Sequence, residues 1–152
     1  MKIMIAYDGS RNAKLALAQT VSMFRCNAPL LMLVGVAENP RDATDANEDL
    51  FQEEYQELKA ALQEGADFAT REEFDVDWIL AEGDPRKMIL RATQKHHPDV
   101  LVIARHSNKP DGGIIAQSLS YFVDELDYMT FGSVSSFLAR RVECPLLILP
   151  SP

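Results

Sequence analysis

Asp8, His106 and either Ser107 or Ser133 are the side chains of this chain that could be assembled into a nucleophilic triad. With three histidines in all and no spacing that pairs a nucleophile with its base, the residues do not support that chemistry. Other enzyme signatures are missing as well. The sequence has no Gly-x4-Gly-Lys-Ser/Thr phosphate loop, no His-Glu-x2-His zinc pair and no Gly-x-Ser-x-Gly nucleophile elbow. Cys26 and Cys144 lack metal-ligand spacing and are too few for a disulfide scaffold; they read as a pair of buried structural thiols in a reducing compartment. What remains is binding chemistry. Asp8-Gly9-Ser10 is a turn with a carboxylate, and Ala104-Arg105-His106-Ser107 is a turn carrying two groups that could meet a phosphate.

Those two turns gain meaning from the elements that must hold them. Ile3–Tyr7 reads as a buried strand, and Ser10 can cap the helix that follows over Asn12–Phe24, with Leu15, Leu17, Ala18, Val21 and Phe24 as its apolar side. Leu30–Val36 is apolar throughout, as a strand covered on both faces should be. Glu38–Asn47 reads as a loop. Phe51, Tyr55, Leu58, Leu62 and Ala66 then mark a long amphipathic helix over Glu48–Thr70 with a Glu-rich solvated face.

Asp75–Ala81 reads as a third strand, with Trp78 packed in the sheet. Gly83-Asp84-Pro85 supplies turn, N-cap and first helical residue, and Met88, Ile89 and Ala92 form the buried stripe. His96 and His97 suit a helix end. Val100–Ala104 is a fourth strand. Asn108–Gly113 is turn chemistry, Ile115, Leu119, Phe122 and Leu126 suggest a short extra helix, and Gly132-Ser133 opens another through about Val142. Leu146–Leu149 makes the fifth strand.

Strands alternating with helices predict an α/β fold, a parallel sheet with helices on both faces. Ligands in such sheets bind beyond the carboxyl ends of the strands, where the strand order reverses. The turns after the first and fourth strands are therefore the candidate site.

The totals agree with one ordinary domain, 1–152. Of 152 residues, 47% are hydrophobic and 25% charged, close to common soluble usage. Acidic residues outnumber basic ones 23 to 15, for a net charge of −8. Nucleic acid and anionic membranes are thereby disfavoured as partners. A small anion in a local pocket of backbone N–H groups is not. The N-terminus runs straight into a strand with no signal-like region, and no apolar run is long enough to span a bilayer, so a cytoplasmic location is expected.

Three stretches together resemble the universal stress protein family. They are Lys2-Ile3-Met4-Ile5-Ala6-Tyr7-Asp8-Gly9-Ser10; Glu82-Gly83-Asp84-Pro85 with Ile89, Ala92 and Pro98–Ala104; and Phe131–Ser135 with Cys144–Leu149. The resemblance implies an open five-stranded parallel sheet in the order 3-2-1-4-5, of the adenine nucleotide alpha hydrolase type. It implies a homodimer, commonly paired through the last strand, that acts in the stress response without being a dedicated enzyme. Many members bind ATP through Gly-x2-Gly-x9-Gly-Ser/Thr, any Mg²⁺ arriving with the nucleotide.

Carried over position by position, the resemblance makes Asp8 the adenine contact and places Val34 where the second strand offers its backbone to the base, although core packing accounts for Val34 too. Gly132, Ser133, Val134 and Ser135 stand at the phosphate-facing helix start. Here the signature departs from the family. Ala104 and Ser107 replace its two early glycines. Ser107 and Gly132 stand 25 positions apart where the pattern has ten, so about fifteen residues are inserted, at about 108–130. Two expectations follow: a nucleotide-binding dimer, or a nucleotide-free interaction dimer, with protein partners yet unknown, whose inserted segment fills the cleft.

Overall fold

The computed structural model describes residues 1–38, 45–105 and 132–150, with side chains from residue 48 in the second segment. The chain runs β1 (Lys2–Ala6), α1 (Arg11–Phe24), β2 (Leu30–Ala37), α2 (Asp45–Arg71), β3 (Val76–Glu82), α3 (Pro85–His96), β4 (Val100–Ala104), α4 (Ser133–Ala139) and β5 (Leu146–Leu149). The strands form one sheet in the order β3-β2-β1-β4-β5. Each neighbouring pair is parallel, with Ile5 opposite both Leu33 and Val102 at the centre. The expected fold is therefore the observed one. His106 and Ser107, the inserted segment at about 108–130 and the extra helix over 115–126 lie outside the described residues.

Parallel strands alternate their side chains between two faces, and each face here has its own core. Ile3 and Ile5 of β1, Leu31 and Leu33 of β2 and Val102 of β4 meet α1 and α2 through Leu17, Val21 and Leu62. Their sequence neighbours Met4, Met32, Val34, Leu101 and Ile103 point the other way, toward Ile89 and Ala92 of α3 and Leu138 of α4. This is why the central strands read as continuous apolar runs: there is no solvent face to mark with polar residues.

The helices depart from the expected bounds where local signals are weak. Helix α2 begins at Asp45, inside the stretch that reads as loop, because polar residues can open a helix without any apolar periodicity. Helix α4 ends at Ala139 rather than near Val142. In α1 the buried side is Ala13, Ala16, Leu17, Thr20 and Val21, while Ala18 is exposed. Small residues let that helix lie close to the sheet, and Thr20 bonds its hydroxyl to the Ala16 carbonyl at 2.7 Å, so its burial leaves no polar atom unmatched. The burial of the cysteine thiols also differs from expectation: Cys26 is exposed and Cys144 only half-buried. Cys26 follows the end of α1, just past its C-cap Arg25.

Close approach of α2 to the sheet depends on glycine at Gly65. A Cβ there would stand 3.0 Å from the Tyr7 ring and 3.1 Å from Leu33 Cδ1. Among the described residues no helix is long and apolar enough to cross a membrane.

Candidate functional site

Beyond Ala6 the chain leaves β1 through Asp8-Gly9-Ser10, and the sequence chemistry of that turn is visible in its bonds. Ser10 N–H donates to Asp8 Oδ1 at 2.9 Å, and Ser10 Oγ accepts from Ala13 N–H at 3.2 Å as the N-cap of α1. Gly9 takes φ +77, a conformation open to glycine at little cost. The turn thus carries α1 to one face of the sheet, while β4, on the other side of β1, leads toward α4 on the opposite face. A cleft opens between them at the carboxyl ends of the strands, at the point where strand order reverses.

The central hollow of this cleft has a volume of ≈ 360 Å³. Asp8, Val34, Ala104, Gly132, Ser133, Val134 and Ser135 all line it. Every candidate nucleotide-binding residue within the described part of the chain is therefore brought to one place; Ser107, like His106, falls outside that part. Apolar groups form much of the floor: Ala6, Val36, Pro85 and Ile89 accompany Val34. Two shallower hollows continue the cleft. One, of ≈ 550 Å³, runs over Asp84 and Arg86 and shares Pro85, Ser133 and Val134. The other, of ≈ 420 Å³, lies against α2 and shares Asp8 and Val36.

Backbone geometry singles out a residue that the sequence pattern does not. Val34 is 1% exposed, and its carbonyl accepts Tyr7 N–H at 2.9 Å. Pairing of β1 with β2 ends at Ala6 opposite Val34, yet β2 runs on to Ala37. Carbonyls two residues apart in a strand point the same way, so Val36 carries the edge of β2 past the last β1 pair and into the cleft. The signal for it is a length difference: five residues in β1 and eight in β2.

Asn12 is a second such residue; its side-chain amide donates to the Arg105 carbonyl at 3.5 Å, linking the start of α1 to the end of β4. Gly132 is the N-cap of α4 and has no side chain to cap it. The first-turn N–H groups of a helix have no intrahelical partner. Ser135 is buried and Ser133 exposed, so Ser133 carries the hydroxyl at the cleft mouth.

Charge is arranged unevenly around the cleft. Arg86 grips Asp84 in a two-pronged bond, Nε to Oδ1 at 3.1 Å and Nη2 to Oδ2 at 2.9 Å, and its guanidinium lies 5.9 Å from the Phe137 ring of α4. That bond holds the Asp84 carboxyl below the usual carboxylate range and raises Arg86 in return. Burial, and then the carboxylates of Glu64 and Asp8, hold the Tyr7 hydroxyl above the usual phenol range.

Tyr7 therefore keeps its proton in the folded state at a pH where the unfolded chain releases it. The stability this contributes is complete below the ordinary tyrosine value of about 10 and is lost as pH climbs from there through the higher value of the folded state. Denaturant midpoints measured between pH 9 and 11 are expected to fall with pH. The Tyr7→Phe variant should fall less; an identical slope would show that Tyr7 is not the group responsible. Among the described residues no cluster of His, Cys, Asp or Glu could hold a metal ion.

The family model for the universal stress protein family matches residues 1–150. The chain belongs to the universal stress protein family. Universal stress protein UspA from Lactobacillus plantarum has the same fold at a TM-score of 0.76 and 17% identity, over 98% of this chain and 97% of that one. A universal stress protein in complex with cAMP gives 0.67 and 20%, over 98% and 96%. A universal stress protein family protein from Arabidopsis thaliana with AMP bound gives 0.65 and 18%, over 100% and 92%. At these identities the likeness concerns the fold. No curated protein sequence matches the chain. Within the universal stress protein fold, the described cleft lies between β1 and β4, with Ala104 at its β4 wall.

Proposed function

We propose that this universal stress protein binds an adenine nucleotide in the cleft between β1 and β4, and that it acts as a cytoplasmic stress-response dimer whose shape or partner affinity the nucleotide alters. The observation that carries the reading is the convergence of Asp8, the overhanging end of β2 at Val36, and Gly132 on one apolar-floored hollow of ≈ 360 Å³. A flat aromatic base suits the floor of Ala6, Val34 and Ile89, and the Val36 backbone edge and Asp8 offer it polar partners. The fold neighbours with cAMP and AMP bound support an adenine ligand.

Self-association draws support from β5. It lies at the sheet edge with Leu146, Leu147 and Ile148 half-buried, and an apolar edge of this kind is usually covered. The protein is not a dedicated enzyme in this reading. The Asp8 carboxylate, which lines the hollow, accepts the Ser10 N–H through one oxygen and serves the turn rather than a proton transfer.

One feature favours a second reading, a nucleotide-free interaction dimer. Ala104 lines the cleft where the family signature has a glycine that admits phosphate. Calorimetric titration of nucleotide-free protein with AMP and with Mg²⁺-ATP separates the two. Micromolar binding of either supports the nucleotide reading; no binding up to millimolar supports the interaction dimer. Sedimentation at micromolar concentration tests the dimer, and a monomer there would exclude it.

A further inference from the structure

We propose that the cleft selects its adenine ligand by charge, favouring a nucleotide with one phosphate over a triphosphate. This rests on the adenine reading above. Any ligand tail leaving the central hollow along α4 enters the hollow lined by Glu38, Asp84 and Arg86 beside Ser133. Arg86 is the cation on that wall among the described residues, and its charge is already matched by Asp84 through two hydrogen bonds. Glu38 then leaves the wall net negative. The opposite shoulder adds Asp8, Glu54 and Glu57, and Arg105 lines the central hollow between them. Five carboxylates thus face two guanidiniums around the described cleft.

A phosphate tail must either approach these carboxylates or draw Arg86 away from Asp84, leaving Asp84 unpaired. A monophosphate carries roughly two negative charges and a metal-free triphosphate roughly four, so the penalty grows with tail length. The fold supplies a base slot and a short anionic reach beyond it.

The test is binding of adenosine, AMP and ATP to the whole protein in EDTA, at low salt so that surface charge is not screened. For the wild type, ATP is expected to bind about tenfold more weakly than AMP. Glu38→Gln should narrow that gap by about threefold. Asp84→Asn, which keeps a good N-cap for α3 while releasing Arg86, should narrow it at least as much, and neither change should alter adenosine binding. ATP binding as tightly as AMP or tighter overturns the charge selection while leaving the adenine reading intact. A gap that neither variant moves overturns it too. Absence of binding by all three ligands to the wild type overturns both readings.

Discussion

Replacing Gly9 with alanine is expected to lower stability by about 2–3 kcal/mol, enough to shift the melting midpoint of a chain this size by roughly 5–10 °C. Two independent costs combine. An L-residue at φ +77 is disfavoured by about 1–2 kcal/mol, partly offset by the smaller entropy of the unfolded alanine chain, about 0.4–1 kcal/mol. The added Cβ would also lie 2.6 Å from Ala61 Cβ of α2. Neither atom belongs to a flexible side chain, so backbone must move, and overpacking of this kind typically costs about 1–3 kcal/mol.

The Ala61→Gly partner separates the two terms. It removes the clash at a helix-propensity cost of about 1 kcal/mol. In a double-mutant cycle the pair should show coupling of about 1–2 kcal/mol. A midpoint within about 2 °C of wild type for Gly9→Ala would mean that the turn relaxes freely. Asp8, whose carboxylate is bonded within the same turn, should then keep its place.

The second large effect concerns binding. Ala6 ends β1 with its side chain on the α3 and α4 face, at the floor of the central hollow. Phenylalanine there has a good strand propensity and open space to occupy. Its ring should lie where a bound base would lie. The expected result for Ala6→Phe is a loss of adenine nucleotide affinity on the order of 100-fold. That corresponds to about 2.7 kcal/mol, within the range for burying one large apolar side chain. Thermal stability should stay close to wild type. Titration with AMP and a melting curve on the same sample check both halves. Undiminished affinity in a folded variant would move the ligand away from the β1 end of the cleft.

Much of the fold was legible because its signals are local or periodic. The bounds of β4 and β5 match the sequence reading to the residue, since each is a continuous apolar run flanked by turn residues. The capped start of α3 follows from Gly83-Asp84-Pro85 alone. Strand order came from the family resemblance, because apolar runs do not reveal their neighbours. Other features depend on tertiary partners and leave no local mark. Gly65 reads as an unexceptional helix glycine until Tyr7 and Leu33 are placed against it. Thr20 sits on the buried side of α1, and only its bond to the Ala16 carbonyl accounts for a hydroxyl there. Of the residues that line the cleft, Asp8, Val34, Ala104 and Gly132–Ser135 stood out as candidates by type or position. Val36 did not, because what it offers is backbone whose exposure depends on where β1 stops.

The overhang of β2 and the cleft beside it share one seam, the pairing of β1 with β4, which joins Ile3 to Val100. About three-quarters of the described chain lies between those two residues in sequence. Bringing such distant segments together carries a high loop-closure cost and slows folding, whereas β1 finds β2 across a single helix. The seam is therefore a natural last step of assembly and an early point of failure in disassembly. A ligand lying across it would act as a clasp on lifetime. It would slow unfolding more than it hastened folding, because its contacts arise after the barrier has been crossed. In a cell, occupancy of the cleft would then be read out as persistence of the protein as well as its shape.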